Sequence, residues 1–197
     1  MDPAVWPVVM DYSDRLDPDP AHARQVCRLS LKIYSELETL HALPHYACDF
    51  LKAAALLHDI GWSMPGKPHH KASKDIILKD TKMNLLPTER KIIALIARYH
   101  RKSLPKPDHA IYNKLDNKDK AIVSWCSGIL RVADVLDRAH QELVSDISCT
   151  ITLEDLILFC TCKAPLIHDS LLFQEKSRLL SDLANRRITL LISVQGI

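Results

Sequence analysis

The stretch AALLHDIGW, residues 54–62, decides the reading of this sequence. Phe50, Ala54 and Leu57 mark one face of a helix over 46–59. Gly61 supplies its stop. The helix therefore ends on two adjacent polar side chains, His58 and Asp59, at the edge of an apolar face. A buried carboxylate is unfavourable there unless a cation compensates it.

Upstream, Asp19-Pro20 reads as an N-cap followed by proline at the first helical position. A helix over 20–40 carries His22, Val26, Leu29, Ile33, Leu37 and Leu40 on one stripe, with His22 at its inner start. Downstream, Pro65, Gly66 and Pro68 make a loop and a helix spans 69–79. Pro87-Thr88-Glu89-Arg90 opens a fourth helix, running to 100. A loop with Pro105 and Pro107 then precedes a fifth helix over 118–140, on which Val123, Ser127, Leu130 and Asp134 are nearly collinear.

Beyond residue 140 the pattern changes. Residues 145–153 alternate, with Ile147, Cys149 and Ile151 on one side; 156–162 is strand-like, 170–184 helical, and 188–194 a last strand. The expected class is mainly α. A helical domain covers 20–140, an N-terminal extension 1–19, and a small α+β appendage 141–197.

Composition narrows the function. The chain has 197 residues, 47% apolar and 25% charged, as a globular protein does. Its four glycines cannot assemble a phosphate-binding Gly-rich loop, which excludes P-loop and dinucleotide-binding designs. A net charge of +2 gives no electrostatic footprint for nucleic acid. The acidic, proline-broken N-terminus is not expected to be a signal peptide, and no run reaches membrane-spanning length. Six cysteines without zinc-finger spacing fit reduced thiols in a cytoplasm. Cys160 and Cys162, in an apolar run, read as core strand residues before they read as soft metal ligands.

Ten histidines are many for this length. His22, His58, Asp59 and Asp134 each fall at or near an apolar helix face. Imidazole and carboxylate suit divalent Mn, Fe, Co, Ni or Zn. Two of each leave such an ion nearly charge-balanced, with coordination positions free for water and substrate. Spacing alone leaves open the plainer alternative of satisfied core histidines and solvated helix-end carboxylates.

The HD doublet, with an earlier histidine and a distant aspartate on a later helix, resembles the HD superfamily of metal-dependent phosphohydrolases. His22, His58, Asp59 and Asp134 match that pattern in order. HHKAS (69–73), IIALIARYHRKSLPK (92–106) and GILRVADVLDRAH (128–140) resemble more specifically the C-terminal HD domain of the exopolyphosphatase/guanosine pentaphosphate phosphohydrolase family. The resemblance spans about residues 20–140 and implies an HD-domain helical bundle holding one divalent ion. The family's N-terminal actin-like domains are not in this sequence, so the expectation is a stand-alone HD domain. His70 and His100 occupy the order in which some HD hydrolases hold a second ion, or they contact phosphate. Ala72 stands where many relatives have a further histidine.

Cations are expected to meet the phosphate. Arg90, Lys91, Arg98, Arg101, Lys102 and Lys106 crowd one segment against the single acid Glu89, Lys71 follows the double histidine, and Arg131 and Arg138 flank Asp134. Of these, Lys71, Arg101, Lys102 and Arg138 are the phosphate-binding candidates. The resulting mechanism is metal-assisted hydrolysis of a phosphoester or phosphoanhydride, with Asp59 both ligating and orienting the attacking water. The resemblance implies a nucleotide or polyphosphate-like substrate. Trp62 is the one aromatic placed to stack on a base. The expected partner is a phosphorylated small molecule, without membrane or nucleic acid and with room for a homodimer. The alternative is a non-catalytic nucleotide-sensing or protein-docking module.

Overall fold

The computed structural model describes residues 1–167 and 169–195. A helical body comprises α1 (Val5–Leu16), α2 (Pro20–Glu36), α3 (Glu38–His41), α4 (Ala47–Leu56), a 3-10 turn (Ile60–Ser63), α5 (His69–Lys79), α6 (Pro87–Tyr99), α7 (Ala110–Asn113) and α8 (Asn117–Leu136). After it come β1 (Val144–Ile151), β2 (Asp155–Cys162), α9 (Ser170–Ala184) and β3 (Arg187–Val194). The class is mainly α with a small C-terminal α+β part, as the periodicity indicates.

The apolar stripes explain the packing. Val26, Leu29, Ile33 and Leu37 on and just after α2 are fully buried against α4 and α8. Val123, Ser127 and Leu130 of α8 are buried on the facing side. Side-chain caps set the starts of α2 and α8: Asp19 accepts a hydrogen bond from the His22 N–H at 3.2 Å, and Asp116 accepts from Asp119 N–H at 2.8 Å.

The sheet has the order β1-β2-β3, with β1 antiparallel and β3 parallel to β2. The parallel pair needs a crossover, which α9 supplies. Leu158 pairs with Cys149 on one side and Leu190 on the other. Leu156, Leu158, Cys160 and Cys162 alternate inward and are buried, so the two cysteines are core strand residues; all six cysteines are free thiols. The outer edge of β1 lies on α2, where Gln25 donates to Val144 O at 2.7 Å and Glu36 accepts from Cys149 N–H at 3.0 Å.

Several boundaries differ from the periodic reading. Residues 5–16, within the stretch read as an extension, form an amphipathic helix that buries Val5, Val9 and Tyr12. Pro7 falls in its first turn, where a missing N–H is tolerated. The helix expected over 20–40 breaks at Leu37, and α3 ends at Ala42 with φ 45°. The helix expected to reach 59 stops at Leu56, where the Leu57 N–H closes onto Ala53 O and Ala54 O and the His58 side chain takes Ala55 O. The fifth helix stops at Leu136 rather than 140, capped by Asp137. Among the described residues no helix is long and apolar enough to cross a membrane.

Candidate metal centre

His58 and Asp59 lie in the bend between α4 and the 3-10 turn. His58 Nδ1 donates to Ala55 O at 2.7 Å, closing the helix end and fixing the tautomer. Its Nε2 is therefore a bare lone pair, fully buried and without a hydrogen-bond partner. His100, at the end of α6, repeats the device: its Nδ1 donates to Ala97 O at 2.7 Å. The bend is pinned from α5, where Ser73 Oγ donates to His58 O at 2.7 Å and accepts from Gly61 N–H at 2.9 Å. Gly61 is required by this close approach, since a Cβ there would stand 2.0 Å from the His69 carbonyl oxygen.

His22 reaches the same point from the start of α2. Its Nδ1 donates to Asp137 Oδ2 at 2.8 Å, which leaves Nε2 turned toward Asp134 Oδ1 at 3.6 Å. A carboxylate behind the second ring nitrogen is the arrangement that orients metal-binding histidines. Burial alone would lower the basicity of His22, but Asp134 and Asp137 outweigh it and raise the pKa to about 10. Asp134 is pushed upward by burial yet ends well below the usual carboxylate range, through the adjacent His22 ring and the Lys176 ammonium. Asp59 is likewise pushed up by burial and brought lower overall by the neighbouring His58 and His100.

Two groups of ligand-type atoms result. His22, His58 and Asp134 each offer an atom within 4.8 Å of the others, and so do His58, Asp59 and His100, with His58 shared. Asp59 Oδ1 stands 3.3 Å from His69 Nε2 and 3.5 Å from His100 Nε2 and has no hydrogen-bond partner. Bare, buried donor atoms of this kind fit a cation, which would remove the unfavourable burial of both carboxylates. Burial lowers His100 to about 3, so its ring is neutral, the form that ligates.

The cluster opens into a cleft of about 600 Å³ lined by His22, Asp59, Trp62, His69, His100, Arg101, Lys102, Asp134, Arg138 and Lys176 among others. The phosphate candidates Arg101, Lys102 and Arg138 are on its wall. Lys71 is exposed and is not among the cleft's lining residues. Trp62 is 55% exposed and stacks on His69, with ring centroids 4.3 Å apart.

A family model described as Ppx/GppA phosphatase, domain III, matches residues 9–178. The chain belongs to this family. It is also 30% identical over 154 residues to a guanosine-5'-triphosphate,3'-diphosphate pyrophosphatase of Pseudoalteromonas translucida, an alignment covering 75% of this chain and 29% of that protein. The chain thus matches less than a third of the relative's length.

Within this Ppx/GppA domain the structure brings His22, His58, Asp59, His100 and Asp134 together. It places His69, not His70, against Asp59: the two are adjacent on α5, and the rotation of that helix turns His69 inward. His70 is buried behind it, its Nδ1 unpartnered, with burial lowering it to about 4. Sequence reasoning missed Asp137, His140 and Lys176. His140 stacks on the His22 ring at 3.9 Å and its Nδ1 bonds Asp19 Oδ2 at 2.8 Å. Asp137 lies three residues after Asp134, spacing that puts both on one helix side. For Lys176 no local signal exists.

Proposed function

We infer that this chain is a metal-dependent phosphohydrolase acting on a phosphorylated small molecule. One observation carries the reading: two buried, unpartnered ligand atoms, His58 Nε2 and Asp59 Oδ1, sit in a cluster at the base of a cleft walled by Arg101, Lys102 and Arg138. His22, His58, Asp59 and Asp134 would hold a divalent transition-metal ion, and His69 and His100 flank Asp59 as donors for a second. Such an ion acidifies water and polarises a phosphoryl oxygen.

The chain's own residues do the remaining work. In this reading Asp59 both ligates the ion and orients the attacking water, one carboxylate oxygen ligating and the other accepting the water's proton. The water oxygen forms the new bond to phosphorus as the bond to the leaving group breaks. Arg101, Lys102 and Arg138 offset the negative charge on the phosphoryl oxygens. Asp137 holds His22 in the ligating tautomer. The relative's name points to a phosphoanhydride bond in a guanosine polyphosphate nucleotide, and in this reading polyphosphate-like compounds are the related substrate class.

The test is phosphate or pyrophosphate release from guanosine penta- and tetraphosphate, nucleoside triphosphates and polyphosphate, with Mn(II), Co(II), Ni(II) or Zn(II). The wild type is expected to release product only with metal, and Asp59→Ala to release none. Turnover that survives a chelator, or survives in D59A, contradicts the reading.

A further inference from the structure

The helical body and the C-terminal part meet along α8 and α9, and that contact reaches into the cleft. Gly128, Arg131 and Asp134 are spaced three apart on α8 and so form one stripe. At Gly128 the helices close on each other: a Cβ there would lie 3.3 Å from Leu180 Cα and N. One turn earlier on α9, the Lys176 carbonyl accepts from Arg131 Nε at 3.4 Å, while Arg131 Nη1 donates to Tyr99 O at 3.1 Å. Arg131 is thus a buried cation that bonds main-chain carbonyls, tying α9 to the residue before His100.

This stitching delivers a buried lysine to the site from a part of the chain remote in sequence. Lys176 Nζ stands 3.0 Å from Asp134 Oδ2 and 3.5 Å from His100 O. An ammonium has three donors. Two have these partners; the third has none among the described residues, and Lys176 lines the cleft. Asp134 divides its oxygens, Oδ1 toward His22 and Oδ2 toward Lys176. A cation taken up at Oδ1 therefore leaves the ammonium in place beside it, on the cleft side.

We propose that Lys176 anchors the phosphoryl group, its ammonium donating to a non-bridging oxygen of the phosphate bound in the cleft. The proposal rests on the metal-dependent reading above and adds a residue of the C-terminal part to the site. A point charge free to turn its donors suits an oxygen that gains charge as the leaving group departs. A lysine needed only to neutralise Asp134 requires no place on the cleft wall.

Calorimetry on the full chain tests this, with Mn(II) titrated first and inorganic phosphate second, into wild type, K176M and K176R. K176M is expected to take Mn(II) at least as tightly as wild type, because a positive neighbour of the ligand set is gone. Its Mn(II)-loaded form is expected to bind phosphate about tenfold more weakly, the loss of one charge-assisted hydrogen bond. K176R, which keeps the charge on a larger planar group, is expected to bind phosphate more tightly than K176M. Phosphate binding by K176M equal to wild type overturns the proposal and leaves Lys176 a strut for Asp134. Reductive methylation of the wild type, read by mass spectrometry, needs no variant: phosphate with Mn(II) is expected to protect Lys176, and unchanged labelling overturns the anchor. If the wild type takes up no Mn(II), the metal-dependent reading fails by itself. Phosphate titrated into the metal-free chain then judges Lys176: weaker binding by K176M supports the anchor, and equal or absent binding overturns it.

Discussion

Asp137→Asn tests the construction of the site through a residue that touches neither ion nor substrate. Asp137 is almost fully buried; its Oδ2 holds His22 Nδ1 at 2.8 Å and its Oδ1 accepts from Glu142 N–H at 2.8 Å. Asparagine keeps the shape, and its carbonyl keeps the bond to Glu142. Its amide then faces Nδ1 as a donor, so a neutral His22 must carry its proton on Nε2, the atom needed as a ligand. Outer partners of metal-binding histidines are worth about 10–100-fold in affinity, which is about 1.4–2.8 kcal/mol. The burial of both groups places D137N toward the upper end of that range, because water does not readily replace the lost acceptor. The assay is Mn(II) calorimetry on D137N beside His22→Ala. D137N is expected to lose most of the affinity that H22A loses, while melting cooperatively. An affinity within about twofold of wild type would refute the tautomer argument, since even the lower bound is tenfold.

Three further outcomes are expected. In the metal-free chain, the stability contributed by His22 is complete below its unfolded value of 6.5 and is lost as pH rises toward about 10. Burial holds His70 and His100 near 4 and 3, so stability also falls as pH drops from 6.5 toward those values. Melting temperature in chelator should therefore peak near pH 6.5 and Mn(II) should flatten the alkaline limb; a flat metal-free profile from neutral pH to the His22 value contradicts this. Gly61→Ala would set a Cβ 2.4 Å from Ser73 N and nearer still to the His69 carbonyl, forcing α5 away. A loss of about 3 kcal/mol in urea unfolding is expected, and a near-neutral result would remove Gly61 from the account. Trp62→Ala should raise KM for nucleotides about tenfold, the worth of stacking on one base, with KM for polyphosphate unchanged; equal effects on both would assign Trp62 to packing on His69.

How much of this was legible depends on whether a feature is local. The α2 stripe from Val26 to Leu37 and the alternation around Leu158 are local, and both elements were found. The doublet announced itself because two polar residues close an apolar run. His22 and Asp134 were visible as polar residues on apolar stripes. The choice between His69 and His70 was not legible, because adjacent helix positions differ by about 100° and the rotation of α5 is set by the Gly61 contact. Lys176 was invisible because its partner lies 42 residues away and nothing on α9 itself distinguishes it. α1 was hidden by Pro7 and the acidic residues of its outer face, although Val5, Val9 and Tyr12 already carried helical spacing.

The central claim is that His22 Nε2, His58 Nε2 and Asp134 Oδ1, from three of the four proposed ligand residues, share one divalent ion with Asp59 beside it. A crystal of the full chain grown with Mn(II), with diffraction recorded at the manganese edge, tests it most directly. An anomalous peak is expected among those three atoms, within coordinating distance of each. No peak there under saturating Mn(II), or manganese only on surface carboxylates, would contradict it.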